Sequence, residues 1–309
     1  MSKISVMALA LAAALGLGST GCIKEMILNG QIEGTRKASD AIDAFSDYEI
    51  AETAAFSGIT QFEGMHYLAP DNEDALFMLT KAWTSTSFAF LEDALERAED
   101  AEGESSPLYA YQKARTVAGY DRAIHYGLTL LAKKRGGFEA AKKNDDTMKA
   151  WLAGFDDPDK DAEHLFWTGY AWVGRVNIVK DEPAAVADLF IGVAMLERAK
   201  TLKHDYLYGT IHNVLGAYHA RSPLAELDES KKEFDAAIAL TKGAALLPRF
   251  QLAARYHCAK GDKESYVKTL NEVVEAGDTL PAQRLTNAIA KRRAKRYLGK
   301  ERMMRSCGF

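Results

Sequence analysis

The sequence predicts an all-α fold, in which helical hairpins stack into an α-solenoid or repeat bundle. Proline is scarce, at seven of 309 residues. Apolar residues recur at spacings of three and four, which is typical of helices, and no long window alternates with a period of two. Turn-forming segments fall at fairly even intervals, and they leave room for helices of roughly twelve to thirty residues.

The chain begins with the features of a secretory signal, which we assign to residues 1–21. Lys3 precedes an apolar run over residues 4–17, and this run is too short to be a permanent membrane span. Small residues then lead to Cys22, an arrangement that resembles the lipobox of bacterial lipoproteins. This resemblance implies that Cys22 becomes the first mature residue and carries a lipid. Ordinary cleavage with a free Cys22 is the alternative.

The rest of the chain divides into a tether, a helical domain and a tail. We predict that residues 22–36 form a weakly structured tether, residues 37–298 the helical domain, and residues 299–309 a basic flexible tail. Ile23 follows the cysteine where retention in the inner membrane would favour Asp. The lipid anchor is therefore expected on the periplasmic side of the outer membrane.

A well-marked helix begins shortly after Pro70. Asp71 or Asn72 can cap its free N–H groups, and the acidic residues that follow suit the positive end of the helix dipole. Its apolar face carries Leu76, Leu79 and Trp83.

Several windows comply loosely with the tetratricopeptide repeat, which pairs two helices through small and large residues. One window has a first-helix pattern at Trp167, Tyr170, Ala171 and Gly174, and a second-helix pattern at Gly192, Leu196 and Ala199. No window is a full match, so we predict degenerate, tetratricopeptide-like repeats.

One helix, over residues 165–179, is apolar on all sides, and Arg175 is its only charged residue. Such a helix belongs at the centre of the assembly. Its aromatic side chains either pack in the core or line a pocket or channel for an apolar ligand. The candidate lining residues are Trp167, Tyr170 and Trp172.

An ordered set of short motifs extends from about residue 45 to residue 298. Its main members are Tyr67-Leu68-Ala69-Pro70-Asp71-Asn72, Tyr120-Asp121-Arg122-Ala123, Leu165-Phe166-Trp167-Thr168-Gly169-Tyr170-Ala171-Trp172, Leu196-Glu197-Arg198-Ala199 and Leu285-Thr286-Asn287. Together they resemble the T component of TRAP-type transport systems, the TatT family of periplasmic lipoproteins.

The resemblance implies a helical, lipid-anchored protein that assembles as a homotrimer with apolar internal channels. It also implies a partner, a periplasmic solute-binding protein that serves a secondary transporter. The family has no catalytic site to carry over. The alternative is a general envelope scaffold for protein–protein interaction, with no transport role.

The sequence contains no enzyme motif, and we predict no catalytic site, cofactor or metal. His212 and His219 are seven residues apart and can share a helix face, but metal sites on helices use separations of three or four. A hydrolase would require both histidines to cluster with an acidic residue in a cleft. The net charge of −4 gives no indication of nucleic acid as a partner.

Basic residues crowd the C-terminal end of the chain. We expect them either to be solvated, which suits the helix dipole, or to contact anionic headgroups. They are Lys291, Arg292, Arg293, Lys295, Arg296, Lys300, Arg302 and Arg305. Export permits a disulfide between Cys258 and Cys307, but we expect none because Cys307 lies near an end that should fray.

Overall fold

A computed structural model describes residues 24–221 and 225–309, and the regular structure in these two ranges consists of helices alone. The predicted all-α class is therefore confirmed. The repeat character of the fold stays a prediction. The predicted signal over residues 1–21 and the proposed lipid site at Cys22 lie outside the described residues.

The first half of the described chain forms eight helices, of which α3 and α4 are joined by a π-helical turn at Ser87–Leu91. In chain order α1 to α8 are residues 24–38, Tyr48–Leu68, Glu73–Thr86, Glu92–Glu102, Pro107–Lys134, Phe138–Ala141, Asp145–Leu152 and Lys160–Ile178. A short 3₁₀ helix at Ser39–Ala44 follows α1.

The second half contains a further π-helical turn, Leu252–His257, and a 3₁₀ turn, Pro281–Gln283. In chain order α9 to α17 are Pro183–Ala187, Leu189–Leu202, Tyr206–His219, Leu227–Leu240, Leu246–Gln251, Cys258–Lys260, Lys263–Glu275, Arg284–Tyr297 and Lys300–Cys307.

Local sequence explains where several helices begin. Asn72 caps α3, because its side-chain oxygen accepts the Ala75 N–H at 2.9 Å. The expected cap after Pro70 is thus confirmed. Ser106 accepts the Tyr109 N–H at 3.0 Å, ahead of a proline at the first position of α5.

Most helices pack against a neighbour along the chain, and α8 lies at the centre. It contacts α3, α5, α10 and α11, while α11 pairs with α12 and α15 pairs with α16. Its buried face belongs to the main apolar cluster, as expected for a helix that is apolar on all sides.

The predicted tether is wrong for most of its length, since residues 24–38 form α1. Ile32 of α1 is fully buried in an apolar cluster with Ala75 and Met78 of α3. Arg36 forms ion pairs with α3 and α8. Burial and ion pairing hold this segment against the helical domain.

The predicted flexible tail is also wrong, because Lys300–Cys307 forms α17. Cys258 and Cys307 form a disulfide with an S–S distance of 2.02 Å, which corrects the expectation that they would remain free. Packing of α17 against α14 brings the two sulfurs together across 49 residues of sequence. Closing a loop of that length restricts the unfolded chain by about 4 kcal/mol on the chain-entropy model.

Among the described residues, no helix is both long enough and apolar enough to cross a membrane.

Candidate functional site

Helix α8 carries the predicted aromatic residues, and glycines let its neighbours approach it closely. A Cβ atom added at Gly169 would lie 2.8 Å from the Gly192 carbonyl oxygen of α10, a distance that real Cβ atoms do not reach. Two further close contacts, Gly127 opposite Thr168 and Gly174 opposite Tyr120, bring α5 against α8. The backbones therefore pack tightly around the aromatic side chains.

Trp167 is buried on one side of α8, next to the start of α11. Its Nε1 donates a hydrogen bond to the Tyr206 hydroxyl at 3.0 Å, and its ring stacks on Tyr170 with centroids 6.3 Å apart. The Lys81 ammonium lies 5.9 Å from the Trp167 ring centre and 2.6 Å from an Asp40 oxygen. The Trp167 ring therefore lies next to a pair of charged side chains, Lys81 and Asp40.

Tyr170 is buried on the same side of α8. Its ring centroid is 5.7 Å from that of Phe88 and 5.6 Å from that of Phe166. Burial raises the pKa of the Tyr170 hydroxyl well above its usual value, and the Glu92 carboxylate adds to this effect. The hydroxyl is therefore neutral at physiological pH.

Trp172 lies on the other side of α8, away from Trp167 and Tyr170. Its Nε1 donates to the Asp188 carbonyl oxygen at 3.0 Å, and its ring packs against Phe138 of α6 at 6.0 Å. The structure thus brings together two of the three predicted lining residues and separates the third.

The segment beside Trp167 has a strained backbone. Leu207, Tyr208 and Gly209, near the start of α11, have φ angles of 45°, 60° and 79°. Only glycine adopts this left-handed conformation without strain, and other residues lose about 1 to 2 kcal/mol each. The strained residues directly follow Tyr206, the hydrogen-bond partner of Trp167.

A charged cluster lies near the start of α8. Arg36 of α1 forms ion pairs with both Asp74 and Glu163. Burial raises the pKa of Glu163, although the positive charge of Arg36 acts to lower it. Burial lowers the pKa of His164 to about 4, an effect to which the Arg36 charge contributes. His164 is therefore neutral at physiological pH.

His212 and His219, considered for a metal or hydrolase site, have separate partners. His212 Nδ1 lies 2.5 Å from a Glu233 oxygen, and His219 Nδ1 lies 2.8 Å from a Glu226 oxygen. Within residues 24–221 and 225–309, no group of three His, Cys, Asp or Glu side chains could hold a metal ion.

The arginines among the C-terminal basic residues are not simply solvated, because they pair with the acidic helix α4, whereas Lys295 and Lys300 are exposed as expected. Arg293 is buried, and its Nη1 lies 3.3 Å from a Glu92 oxygen. Arg296 Nη1 lies 2.5 Å from an Asp93 oxygen. The remaining contacts include Arg302 with Glu99 and Asp100, Arg305 with Glu99 and Asp100, and Arg296 with Glu96.

We refer to the contacts of α4 with α16 and α17 as the ionic interface. Burial opposes ionisation of Glu96, but the charges of Arg293, Arg296 and Arg302 outweigh it and lower the Glu96 pKa to about 2. Burial prevails at Glu92, whose pKa is raised even though Arg293 and the Tyr120 hydroxyl oppose the shift. The sequence contained one signal for the ionic interface. The acidic residues of α4 recur at helical spacing, and a group of arginines follows some 200 positions later.

Two open clefts lie elsewhere on the molecule. The first, of about 660 Å³, is lined by Glu25, Met26, Asn29, Gly30, Glu33, Asn72 and Asp74. The second, of about 510 Å³, is lined by Ser46, Gly277, Asp278, Arg284, Asn287, Ala288 and Lys291. Neither of the two is lined by Trp167, Tyr170 or Trp172.

Comparison with known proteins gives one family match. Residues 45–304 match the model of a family described as the TRAP transporter T-component. No curated protein matches the chain.

Proposed function

Because the chain belongs to the TRAP transporter T-component family, we propose that it is a lipid-anchored, periplasmic accessory protein of a TRAP-type solute uptake system. The match over residues 45–304 is the observation that carries the proposal, and it agrees with the resemblance seen in the sequence motifs. The family implies a T-component role in transport, and it is not a known enzyme family.

The proposed anchor is a lipid on Cys22, and the proposed partner is a periplasmic solute-binding protein. The lipobox-like sequence before Cys22 supports the anchor. An anchor of two or more acyl chains gives stable membrane residence, and confinement near the membrane raises the effective concentration of the chain for its partner. The outer membrane is the proposed location, because Ile23 follows the cysteine.

We also propose an apolar passage for a hydrophobic or amphiphilic solute, lined by Trp167, Tyr170 and Trp172. The stack of Trp167 on Tyr170 and the strained turn after Tyr206 support a passage on that side of α8. Trp172 faces α6, so a passage that includes it must extend to both sides of α8. The homotrimer implied by the family resemblance would provide further walls.

A second candidate function is an envelope scaffold that carries no solute. The observation that favours it is the tight packing around Trp167, which is buried and whose indole N–H already donates to Tyr206. In this case the chain would keep the proposed lipid anchor and bind protein partners, but it would have no passage.

The test is affinity capture of the tagged full-length chain from its own cells after mild crosslinking. We expect a periplasmic solute-binding protein in the captured material, together with mass-spectrometric evidence of lipid on Cys22. The matched control is the Cys22→Ala variant, which we expect to leave the membrane fraction or to remain unprocessed.

The possible results separate the candidate functions. Capture of unrelated envelope proteins alone would contradict the transport role and favour the scaffold. Capture of the solute-binding protein, with no hydrophobic solute in a solvent extract of the complex, would contradict only the passage. Membrane retention of a cleaved Cys22→Ala chain would contradict the lipid anchor.

A further inference from the structure

Exposed apolar side chains lie where the start of α1 meets the end of α2, close in sequence to Cys22. They are Met26 and Ile27 at the start of α1, and Tyr67 and Leu68 at the end of α2. These residues are 68%, 54%, 86% and 66% exposed. Single exposed apolar residues are ordinary on protein surfaces, whereas a group of them marks an interaction surface. We refer to these four residues as the apolar end patch.

Contacts between the two helices bring the patch together. Leu28 of α1 and Ala69, which directly follows α2, pack against the same apolar cluster around Ile32. The Asn72 side-chain amide donates to the Asn29 side-chain oxygen at 2.9 Å. The start of α1 therefore lies beside the end of α2, and both contribute apolar side chains to this part of the surface.

We propose that the apolar end patch is a membrane-contacting surface, and that its occupant is the lipid bilayer that holds the anchor. This inference rests on the proposed function, because it requires a lipid on Cys22. If cleavage occurs before Cys22, only residues 22 and 23 separate the lipid from residue 24, the first described residue of α1, and two residues span at most about 7 Å. The acyl chains therefore enter the bilayer close to Met26 and Ile27.

The chemistry of the patch suits the boundary between lipid headgroups and acyl chains. Met, Ile and Leu side chains gain from leaving water, and tyrosine is enriched at membrane interfaces because its ring is apolar and its hydroxyl is polar. A stable interface between two protein copies buries about 800 Å² on each partner, drawn from 20 to 30 residues. Four side chains offer much less, but a surface beside an anchor has only to orient the molecule.

The fold provides a matched control position far from the patch. Lys133, near the end of α5, forms an ion pair with Asp71, only three residues after Leu68. Tyr111, near the start of α5, is 59% exposed, and it lies about 30 Å from Lys133 along the helix. Tyr67 and Tyr111 are thus both exposed, but Tyr67 of α2 lies near the C-terminal end of α5 and Tyr111 lies near its N-terminal end.

The experiment compares Tyr67→Trp with Tyr111→Trp in the full-length lipidated protein. Each variant is reconstituted into vesicles of phosphatidylethanolamine and phosphatidylglycerol, with or without brominated acyl chains that quench nearby tryptophan. The signal of the unsubstituted protein is subtracted, because it contains four tryptophans. We expect quenching at position 67 to exceed quenching at position 111 at least about 2-fold, since about 30 Å of α5 separates Tyr111 from Lys133, which lies near the patch.

Flotation of the unsubstituted chain with the vesicles reports separately on the anchor. A chain that floats but shows equal quenching at the two positions overturns the membrane-contacting surface and leaves the anchor intact. A chain that does not float overturns both proposals. The same fluorescence is measured for Tyr67→Trp in the unanchored Cys22→Ala protein. If it becomes shielded from solvent as the protein concentration rises, the patch is an interface between two copies of the chain. That result also overturns the proposal.

Discussion

The glycine-lined contacts of α8 and the ionic interface join helices in opposite ways. Around α8, Gly169 and Gly192 allow close backbone approach, and apolar or aromatic side chains fill the remaining space. At the ionic interface, buried Arg293 and half-buried Arg296 are compensated by carboxylates of α4. The first kind of contact depends on shape, and the second depends on charge balance, so the two should respond differently to substitution and to pH.

The largest effect is expected at the ionic interface. Glu96→Gln removes a carboxylate that contacts Arg296 and accepts a hydrogen bond from the Tyr297 hydroxyl at 2.9 Å. Loss of one member of a buried ion-pair network leaves a cation uncompensated, so we expect the free energy of unfolding to fall by about 3 kcal/mol. Urea denaturation followed by circular dichroism measures this change.

Glu102→Gln, an exposed position in the same helix, is the control, and we expect a change within about 0.5 kcal/mol. The pH profile sharpens the test. The pKa of Glu96 is lowered from 4.5 to about 2, so its stabilisation is present above pH 4.5 and is lost as the pH falls towards 2. Stability of the unsubstituted chain should therefore decline more steeply across this window than that of Glu96→Gln. Parallel profiles would show that Glu96 does not carry this stabilisation.

An intermediate effect is expected at the contact between α8 and α10. Gly169→Ala places a methyl group 2.8 Å from the Gly192 carbonyl oxygen and 3.0 Å from the Met195 Cβ. Helices that must move apart lose packing, and we expect a loss of about 1.5 kcal/mol in the free energy of unfolding. Because the contact is uncharged, this loss should not change between pH 7 and pH 4.

Gly64→Ala is the matched control, since Gly64 lies inside α2 and a Cβ there meets no atom within 4 Å. Alanine has the higher helix propensity, so this variant should be more stable by about 0.5 kcal/mol. Equal effects of the two substitutions would mean that α8 and α10 do not approach each other as closely as they do in the structure.

The smallest expected effect concerns the strained turn beside the aromatic side of α8. Tyr208→Gly relieves a φ of 60° at an exposed side chain, and we expect stabilisation by about 1 kcal/mol in thermal or urea unfolding. Tyr111→Gly, at an exposed position inside right-handed α5, should instead destabilise by about 1 kcal/mol. Destabilisation by both variants would contradict the left-handed turn.

Several features could be predicted because they depend on residues close in sequence. The spacing of apolar residues predicted helices, and Asn72 caps α3 as expected. The apolar stretch over residues 165–179 predicted a central helix, and α8 packs against four others. Separation of Trp172 from Trp167 and Tyr170 agrees with helix geometry, in which residues three apart share a face and residues five apart do not.

Other features could not be predicted, because they depend on residues far apart in sequence. Residues 22–36 looked like a tether, but residues 24–38 are held as a helix by Ile32 and Arg36, whose partners lie in α3 and α8. The C-terminal arginines looked solvated, because their carboxylate partners lie some 200 residues earlier. The disulfide from Cys258 to Cys307 likewise requires α17 to fold back on α14.

The sequence by itself determined the helical class, the position of several helix starts, the central place of α8 and the family, since each is encoded by local spacing or by ordered motifs. Only the tertiary structure decided which charges are buried, which side chains the aromatic residues of α8 contact, and which apolar residues remain exposed where α1 meets α2. The physical reason is that helix formation depends on neighbours three and four residues apart, whereas burial and charge compensation depend on which helices meet.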